Sequence, residues 1–360
     1  MKNYSIALLL AGATLVLLSL SGCGDNNSSG SQVNATLNTT IINDFSANLS
    51  QAAYNDLASK TSTLYDQVLA LETDGATDEE LTACRTTWRE ARKSWEQSEA
   101  FLFGPVSTDK IDPSIDTWPV NFSDLEDQLK SENEFTDSYI ENLEDALKGF
   151  HPIEYLIFGE DGDKAAANLT ARELEYLKAL SKNLKSLTAD LKESWDPSAS
   201  NNYHLVFTTA GSGSTVYATQ RDAFEELVNA MIGICDEVAN GKIDEVFVAK
   251  DATLEESPFA KNSITDFTNN ITGVQDVYLG KFTTDGKGLE DMVRSYNLQL
   301  DANIKSKLTI AIDALGKVTD PFGTAITSQP TQVQNAINAI NDLKDELETN
   351  LLPFVQVHAK

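Results

Sequence analysis

From about residue 40 onward, apolar side chains recur at spacings of three and four, with polar and charged residues between them. That period belongs to the α-helix, because residues three and four apart share one face. Ile42, Phe45, Leu49 and Ala53 predict a first helix. Leu81, Cys84, Trp88, Ala91 and Trp95 predict a second, opened by Thr77 and Glu80 in a capping-box arrangement. Arg85, Arg89, Arg92, Glu96 and Glu99 fall on an adjoining face of that helix. Gly104-Pro105 should end it, and a proline-punctuated loop carrying Asp109, Asp112, Asp116 and Trp118 should run on to Pro119. Shorter helical patterns follow at 124–129 and 139–147, closing at Gly149. Thr170 with Glu173 opens a long helix that buries Leu174, Leu177, Leu184, Leu187 and Leu191.

The second half repeats this style. Phe224, Leu227, Met231, Ile234 and Val238 form a stripe ended by Gly241, and Ile264, Phe267, Ile271 and Val274 form one ended by Gly280. Leu289, Val293, Tyr296 and Leu300 begin a third, and Val333, Ile337, Ile340, Leu343 and Leu347 complete the set. Only residues 245–248 hint at the period of a strand. An all-α chain with short connections favours antiparallel bundles. Residues 196–215, with Asp-Pro, Asn-Asn and Gly-Ser-Gly-Ser, are the expected linker. Two helical domains are therefore expected, at 39–198 and 199–360.

The beginning of the chain reads differently. Lys2, an apolar run from Ile6 to Leu20 and small residues after it make residues 1–22 a secretory signal, too short for a span. Leu20-Ser21-Gly22-Cys23 resembles the bacterial lipobox, in which the cysteine thiol is acylated. Residues 23–38 are rich in Ser, Asn and Gly and should act as a flexible tether. The expected location is the bacterial cell envelope, with the body lipid-anchored through Cys23 at the outer membrane or periplasmic face. Cys84 and Cys235 both sit in apolar stripes, which is no disulfide framework. A net charge of −28 disfavours nucleic acid and anionic lipid surfaces and concentrates cations near the protein. It does not by itself identify a metal site.

Of the chain's 3 histidines, only His151 has a dense context, and His204 and His358 lack ligand-like neighbours. Pro152 is best placed in the first turn of a helix, which puts His151 near its start. Glu154, three residues on, then shares a side with His151, so the two can converge on one ion or one proton. A helical zinc peptidase needs His-Glu-x-x-His, which this chain lacks. A metal held by His151 and Glu154 would draw further oxygen ligands from elsewhere, which suits iron better than a histidine-rich zinc centre. A structural helix-start histidine is the competing reading. Glu99 reads either as a carboxylate facing a site or as a partner of Arg92, and Trp118 either as a wall or as a loop anchor. Ser263 and Asp266 have the spacing of an N-cap and its third helical residue.

Gly149-x-His151-x-x-Glu154, followed by Tyr155-Leu156 and Phe158-Gly159, resembles the GxHxxE signature of the imelysin-like proteins. Further segments match in the family's order: Trp88 and Arg92 leading to Glu99; the Asp116-x-Trp118-Pro119 turn; and Glu256-Ser257-Pro258-Phe259 through Ser263, Asp266 and Asn270 to Val277-Tyr278-Leu279-Gly280. The resemblance covers nearly all of residues 40–355. It implies two similar four-helix bundles with a site at their interface, and a role in iron uptake or homeostasis. Carried onto this chain, it implies His151 and Glu154 as metal ligands and Glu99, Trp118, Glu256, Ser257, Ser263 and Asp266 as further binding residues. Iron, free or chelated, is the expected ligand, with another divalent metal second and an envelope transport partner to receive it. Where relatives often carry Phe-Ser, this chain has Phe259-Ala260, which supplies no hydroxyl there. A metallopeptidase built on His151 and Glu154, or a metal-free interaction module, are the alternatives.

Overall fold

A computed structural model of the chain describes residues 27–359; the signal segment and Cys23 lie outside the described residues. Among those residues the regular elements are all helical, apart from one isolated bridge between Lys281 and Asp285. Helix α1 (Asn27–Asp44) begins inside the segment read as a tether, and a π-helical turn at Phe45–Ser50 joins it to α2 (Gln51–Asp74). Ile41, Ile42, Phe45, Leu49 and Ala53 are all buried along this run, as their spacing requires. No described helix is long and apolar enough to cross a membrane.

Helix α3 (Asp78–Ser98) opens with the expected capping box: Thr77 N donates to Glu80 Oε2 at 2.9 Å, and Glu80 N donates to Thr77 Oγ1 at 3.2 Å. The loop expected at 104–119 is partly helical, holding a turn at Pro105–Thr108 and α4 (Ile111–Asp116). Pro105 and Pro113 lie in first turns, where a missing N–H breaks no helical bond, so the prolines start these helices rather than excluding them. Helices α5 (Phe150–Phe158) and α6 (Ala171–Ser194) follow, and α2, α3, α5 and α6 pack on one another.

The expected linker is ordered. It contains α7 (Tyr203–Thr208), and its Phe207 and Tyr217 are buried. Phe207 lies 5.0 Å from the Phe45 ring and Tyr203 lies 5.0 Å from Trp195, measured between centroids. Aromatic burial of that size offsets the entropy of ordering the Gly- and Ser-rich flank.

Helix α8 (Gln220–Asp236) does not end at Gly241. It continues as a π-helix over Glu237–Glu245 and a last turn at Val246–Ala249, which also removes the strand suggested at 245–248. Helix α9 (Ser263–Leu279) ends as expected at Gly280, whose φ of 71° suits a left-handed cap. The stripe beginning at Leu289 splits, because Asn297 leaves helical geometry and its side chain accepts from Leu300 N, so Leu289–Tyr296 is followed by a separate α10 (Leu298–Leu315). Helix α11 (Pro330–Glu346) and α12 (Leu352–His358) close the chain, and α8, α9, α10 and α11 form a second packed group.

The two groups meet where α3 lies against α9. Gly273 makes this approach possible, since a methyl group there would overlap the Gln97 carbonyl. The buried apolar side chains of both groups form one continuous cluster, with Cys84 and Cys235 in it as free thiols.

Candidate metal centre

Gly149 sets the local geometry of the site. It is the N-cap of α5 with φ 86° and ψ −156°, a region that is essentially closed to other residues. A side chain there would also collide with the backbone of Ile115. Glycine therefore lets the end of α4 lie against the start of α5, and Asp116 comes to face His151.

His151 is fully buried. Its Nδ1 lies 3.5 Å from Glu154 Oε2 one turn on, and Glu154 Oε1 accepts from Ala260 N at 2.7 Å. Its Nε2 lies 3.1 Å from Asp116 Oδ1 and 3.6 Å from Glu256 Oε1, yet meets neither in hydrogen-bonding geometry. Burial disfavours an imidazolium, but Asp116, Glu154 and Glu256 outweigh it and hold the His151 pKa well above the usual range.

Arg92, on α3, is the centre of the surrounding charge. Its guanidinium pairs with Glu96 and Asp116, reaches Glu256 Oε1 at 3.0 Å and has Asp266 Oδ1 3.8 Å from Nε. Trp95 Nε1 donates to the other Asp116 oxygen at 2.5 Å. Asn270, on α9, donates to Glu96 Oε2 at 2.7 Å and Glu99 Oε2 at 2.6 Å. From the π-helical stretch after α8, Lys242 Nζ comes within 3.3 Å of Glu99, 3.5 Å of Glu256 and 3.6 Å of Glu237. Such π-helical turns often mark functional sites, and this one aims Lys242 into the carboxylates.

Burial opposes charge on Asp116, Glu256, Glu99 and Asp266, and their neighbours decide the outcome. Against burial, Arg92 and His151 hold Asp116 far below the usual carboxylate range. Lys242, His151 and Arg92 similarly draw Glu256 down to about 2. Glu99 goes the other way, because burial and the nearby Glu96 carboxylate outweigh Lys242. Asp266 is also pushed up, by burial and then by Glu96 and Glu256 against the pull of Arg92.

A cavity of about 280 Å³ opens onto this network, with Glu99, Asp112, Asp116, Trp118, Lys242 and Glu256 in its lining. Asp112 on its wall is pushed up to about 6 by burial and by Asp116. Two trios of potential ligands lie here, each with its atoms within 4.8 Å of one another: Asp116, His151 and Glu256; and Glu96, Glu99 and Asp116. Asp116 belongs to both. The first trio offers one imidazole nitrogen and two carboxylate oxygens, a donor set suited to a borderline first-row ion. Nε2 of His151, without a hydrogen-bond partner, is the atom aimed at that position.

The residues named from the sequence are thus brought into one region but divided by role. Glu256 and His151 share the first trio, and Glu99 is in the second. Glu154 stands behind His151, outside both, where it orients the imidazole and pins the 256–263 segment through Ala260 N. The missing hydroxyl at 260 therefore has no bearing here, since the backbone N–H makes the contact. Trp118 proves both wall and anchor: its ring lies 4.9 Å from that of His151, and its Nε1 donates to Leu254 O at 3.1 Å.

Ser263 is not an N-cap. Asn262 holds that place, Ser263 Oγ donates to Glu255 Oε2 at 2.8 Å, and Ser257 Oγ and Asn262 Nδ2 each donate to Asp266 at 2.7 Å. Ser257, Ser263 and Asp266 accordingly support Arg92 from behind the cavity. Sequence reasoning missed Arg92, Glu96, Asp116 and Lys242 as members of the centre. Arg92, Glu96 and Glu99 do fall at i, i+4 and i+7 beside the tryptophan stripe, a signal that the face is covered rather than solvated.

The model of the imelysin family matches residues 50–349, a range that contains every residue of this centre. The chain belongs to the imelysin family. It is 29% identical to iron-regulated protein A of Synechococcus elongatus, over 99% of this chain and 95% of that protein. A crystal structure from Parabacteroides distasonis, titled as an iron-regulated protein A precursor, superposes with a TM-score of 0.81 at 25% identity, covering 90% of this chain and 95% of that one. An imelysin-like protein from Psychrobacter arcticum shares the fold, with a TM-score of 0.73 at 14% identity over 89% and 96% of the two chains. For this imelysin-family chain, the glycine of the GxHxxE stretch has a backbone role, its histidine faces two carboxylates, and its glutamate acts through the histidine.

Proposed function

We propose that this protein captures iron, free or as a chelate, in the cavity between its two helical groups, and that these groups are two related bundle domains. In this reading it is an envelope lipoprotein, exported by residues 1–22, fixed to a membrane through acylated Cys23, and able to hand iron to a transport partner. The observation that carries it is the trio of Asp116, His151 and Glu256 beneath a cavity, with Nε2 of His151, which makes no hydrogen bond, facing the two carboxylates. The relative named iron-regulated protein A adds weight.

Binding would have to displace cations the protein already holds. His151 carries a proton at neutral pH, and Arg92 and Lys242 neutralise the carboxylates. Arg92 is sealed in the core, whereas Lys242 lines the cavity and can withdraw. An incoming ion therefore costs one proton from His151 and the ammonium contacts of Lys242. Affinity should rise with pH by about tenfold per unit while one proton is released. A metallopeptidase has less support, because both oxygens of Glu154 are engaged by His151 and Ala260 and neither is placed to activate a water.

Isothermal titration with ferrous and ferric salts at pH 6 and pH 8 tests the proposal. Saturable binding, tighter at pH 8 and lost in both His151→Ala and Asp116→Asn, is expected. Binding of equal strength in those variants would sink it. Mass spectrometry of the mature N-terminus tests the anchor separately, since an unacylated terminus elsewhere than Cys23 would remove it.

A further inference from the structure

Trp118 also lines a second cavity, larger than the acidic one, of about 540 Å³. Its lining is of a different kind. Phe122, Tyr155 and Phe259 meet there as three mutually edge-on rings, with centroids 5.4 Å apart for Phe122–Tyr155, 5.6 Å for Phe122–Phe259 and 5.2 Å for Tyr155–Phe259. Trp118 forms a fourth aromatic wall, held in place by its bond to Leu254 O. The three rings come from separate parts of the chain: Phe122 from the helix Phe122–Lys130, Tyr155 from α5, and Phe259 from the segment before α9. Phe122 keeps 38% of its surface exposed, so part of the ring faces the cavity opening.

Carboxylates surround these rings. Glu126, Glu160 and Glu255 all line the cavity. Glu126 is paired with Lys130 at 2.7 Å, but that pair is more than half exposed and weakly held. Besides burial, Glu160 and Glu126 push the Tyr155 hydroxyl upward, so their field reaches the ring cluster. An aromatic pocket within a field of acidic side chains repels anions and attracts cations through both charge and the ring quadrupoles.

We propose that this second cavity binds a small organic cation with a trimethylammonium head, of the size of choline. The head would sit against the faces of Phe122, Tyr155 and Trp118, with the carboxylates around it. A cavity of this volume lies in the range of small-molecule sites and has room for such a cation. A bare metal ion is a poor occupant, because the lining offers few inner-sphere ligands: Glu255 is committed to Ser263 and to Gly323 N at 3.2 Å. The proposal does not depend on iron binding next door, although the shared Trp118 indole gives the two cavities a common wall.

The protein, kept in a chelator so that metal occupancy plays no part, is titrated calorimetrically with choline and with its neutral carbon isostere 3,3-dimethylbutan-1-ol. Choline should bind saturably and at least tenfold more tightly than the isostere. Phe122→Ala, which trims a partly exposed ring, should weaken choline at least fivefold, and Glu160→Gln should weaken it without affecting the isostere. Circular dichroism confirms that each variant is folded. Equal affinity for choline and the isostere, no saturation below about 10 mM, or unchanged choline affinity in both folded variants overturns the proposal.

Discussion

Replacing Arg92 with methionine should be among the most damaging single changes in the molecule. The methionine matches the apolar stem of arginine but removes the guanidinium that pairs with Glu96, Asp116 and Glu256 and faces Asp266. Removing one partner of a buried ion pair costs about 3–5 kcal/mol, because the remaining charge is left in a poor solvent. The carboxylates report the same dependence. Glu256 is drawn down to about 2 by Lys242, His151 and Arg92 together, so Arg92 accounts for part of that shift. Asp116 is lowered too, with Arg92 the first opposing charge after the penalty of burial. The expected loss is therefore about 3–5 kcal/mol, the cost of breaking a buried ion pair.

The pH dependence carries a sign. Asp116 and Glu256 have depressed pKa values in the folded protein, so the stability they contribute is present above their unfolded pKa and lost as pH falls. Without Arg92 that depression shrinks, and Asp266, already pushed upward, rises further and takes up a proton in the folded state. The variant's deficit should be full near pH 8 and narrow toward about pH 3, below the unfolded pKa of these carboxylates. Urea denaturation followed by tryptophan fluorescence at both pH values reads this directly. Lys344→Met, which breaks an exposed pair with Asp236 at 2.7 Å, is the control and should cost no more than about 1 kcal/mol. A deficit for Arg92→Met below about 1 kcal/mol at pH 8, or one that stays constant down to about pH 3, would refute the account of the network.

Gly149→Ala should cost roughly 2–5 kcal/mol, the sum of an unfavourable backbone region and overpacking against Ile115, and should weaken metal binding as Asp116 moves from His151; a Tm within a degree of wild type would count against it. Lys242→Met should raise metal affinity at least tenfold in calorimetry at pH 7.5, since it removes the internal competitor, and lower affinity would mean that Lys242 helps to hold the ligand instead. Asp276, on α9, is pushed up to about 7 by burial despite Lys93 and Lys281. An acid raised in the fold contributes stability that is present below its unfolded pKa and lost as pH rises through its folded one. Asp276→Asn should thus be more stable than wild type by roughly 2 kcal/mol at pH 8, with no gain at pH 4. Urea curves at the two pH values decide.

Much of the fold was legible because its determinants are local. The capping boxes at Thr77–Glu80 and Thr170–Glu173 each need only four consecutive residues, and both form as read. The apolar stripe from Leu81 to Trp95 is buried to its last residue. What the sequence concealed depends on partners far along the chain. Arg92 looks like a member of a charged face until α9 covers it, and Lys242 looks like a residue after a helix-ending glycine until the π-helical turn carries it inward. The glycine- and serine-rich stretch at 196–215 shows the same effect, because its aromatic residues find Phe45 and Trp195 only in three dimensions. Of the candidate site, His151 could be found from its context. The assignment of its carboxylates could not, since which of Asp116, Glu154 and Glu256 faces Nε2 is fixed by how α4, α5 and the 256–263 segment meet.

The charge balance inside the centre bears on which ion the proposed site would accept. A net charge of −28 draws all cations toward the protein alike, so selection must come from the cavity. There the carboxylates are already served by Arg92 and Lys242, which offer positive charge without inner-sphere bonds. Calcium or magnesium, which prefer oxygen ligands, would gain little from replacing an ammonium with another charge. An ion that also bonds to imidazole gains the Nε2 of His151, which makes no hydrogen bond within the protein. The internal cations thus act as a threshold that favours nitrogen-accepting first-row ions over the more abundant hard ones. Lowering that threshold with Lys242→Met should therefore raise calcium affinity by a larger factor than iron affinity, and a competition titration in which iron gains more would show that selectivity arises elsewhere.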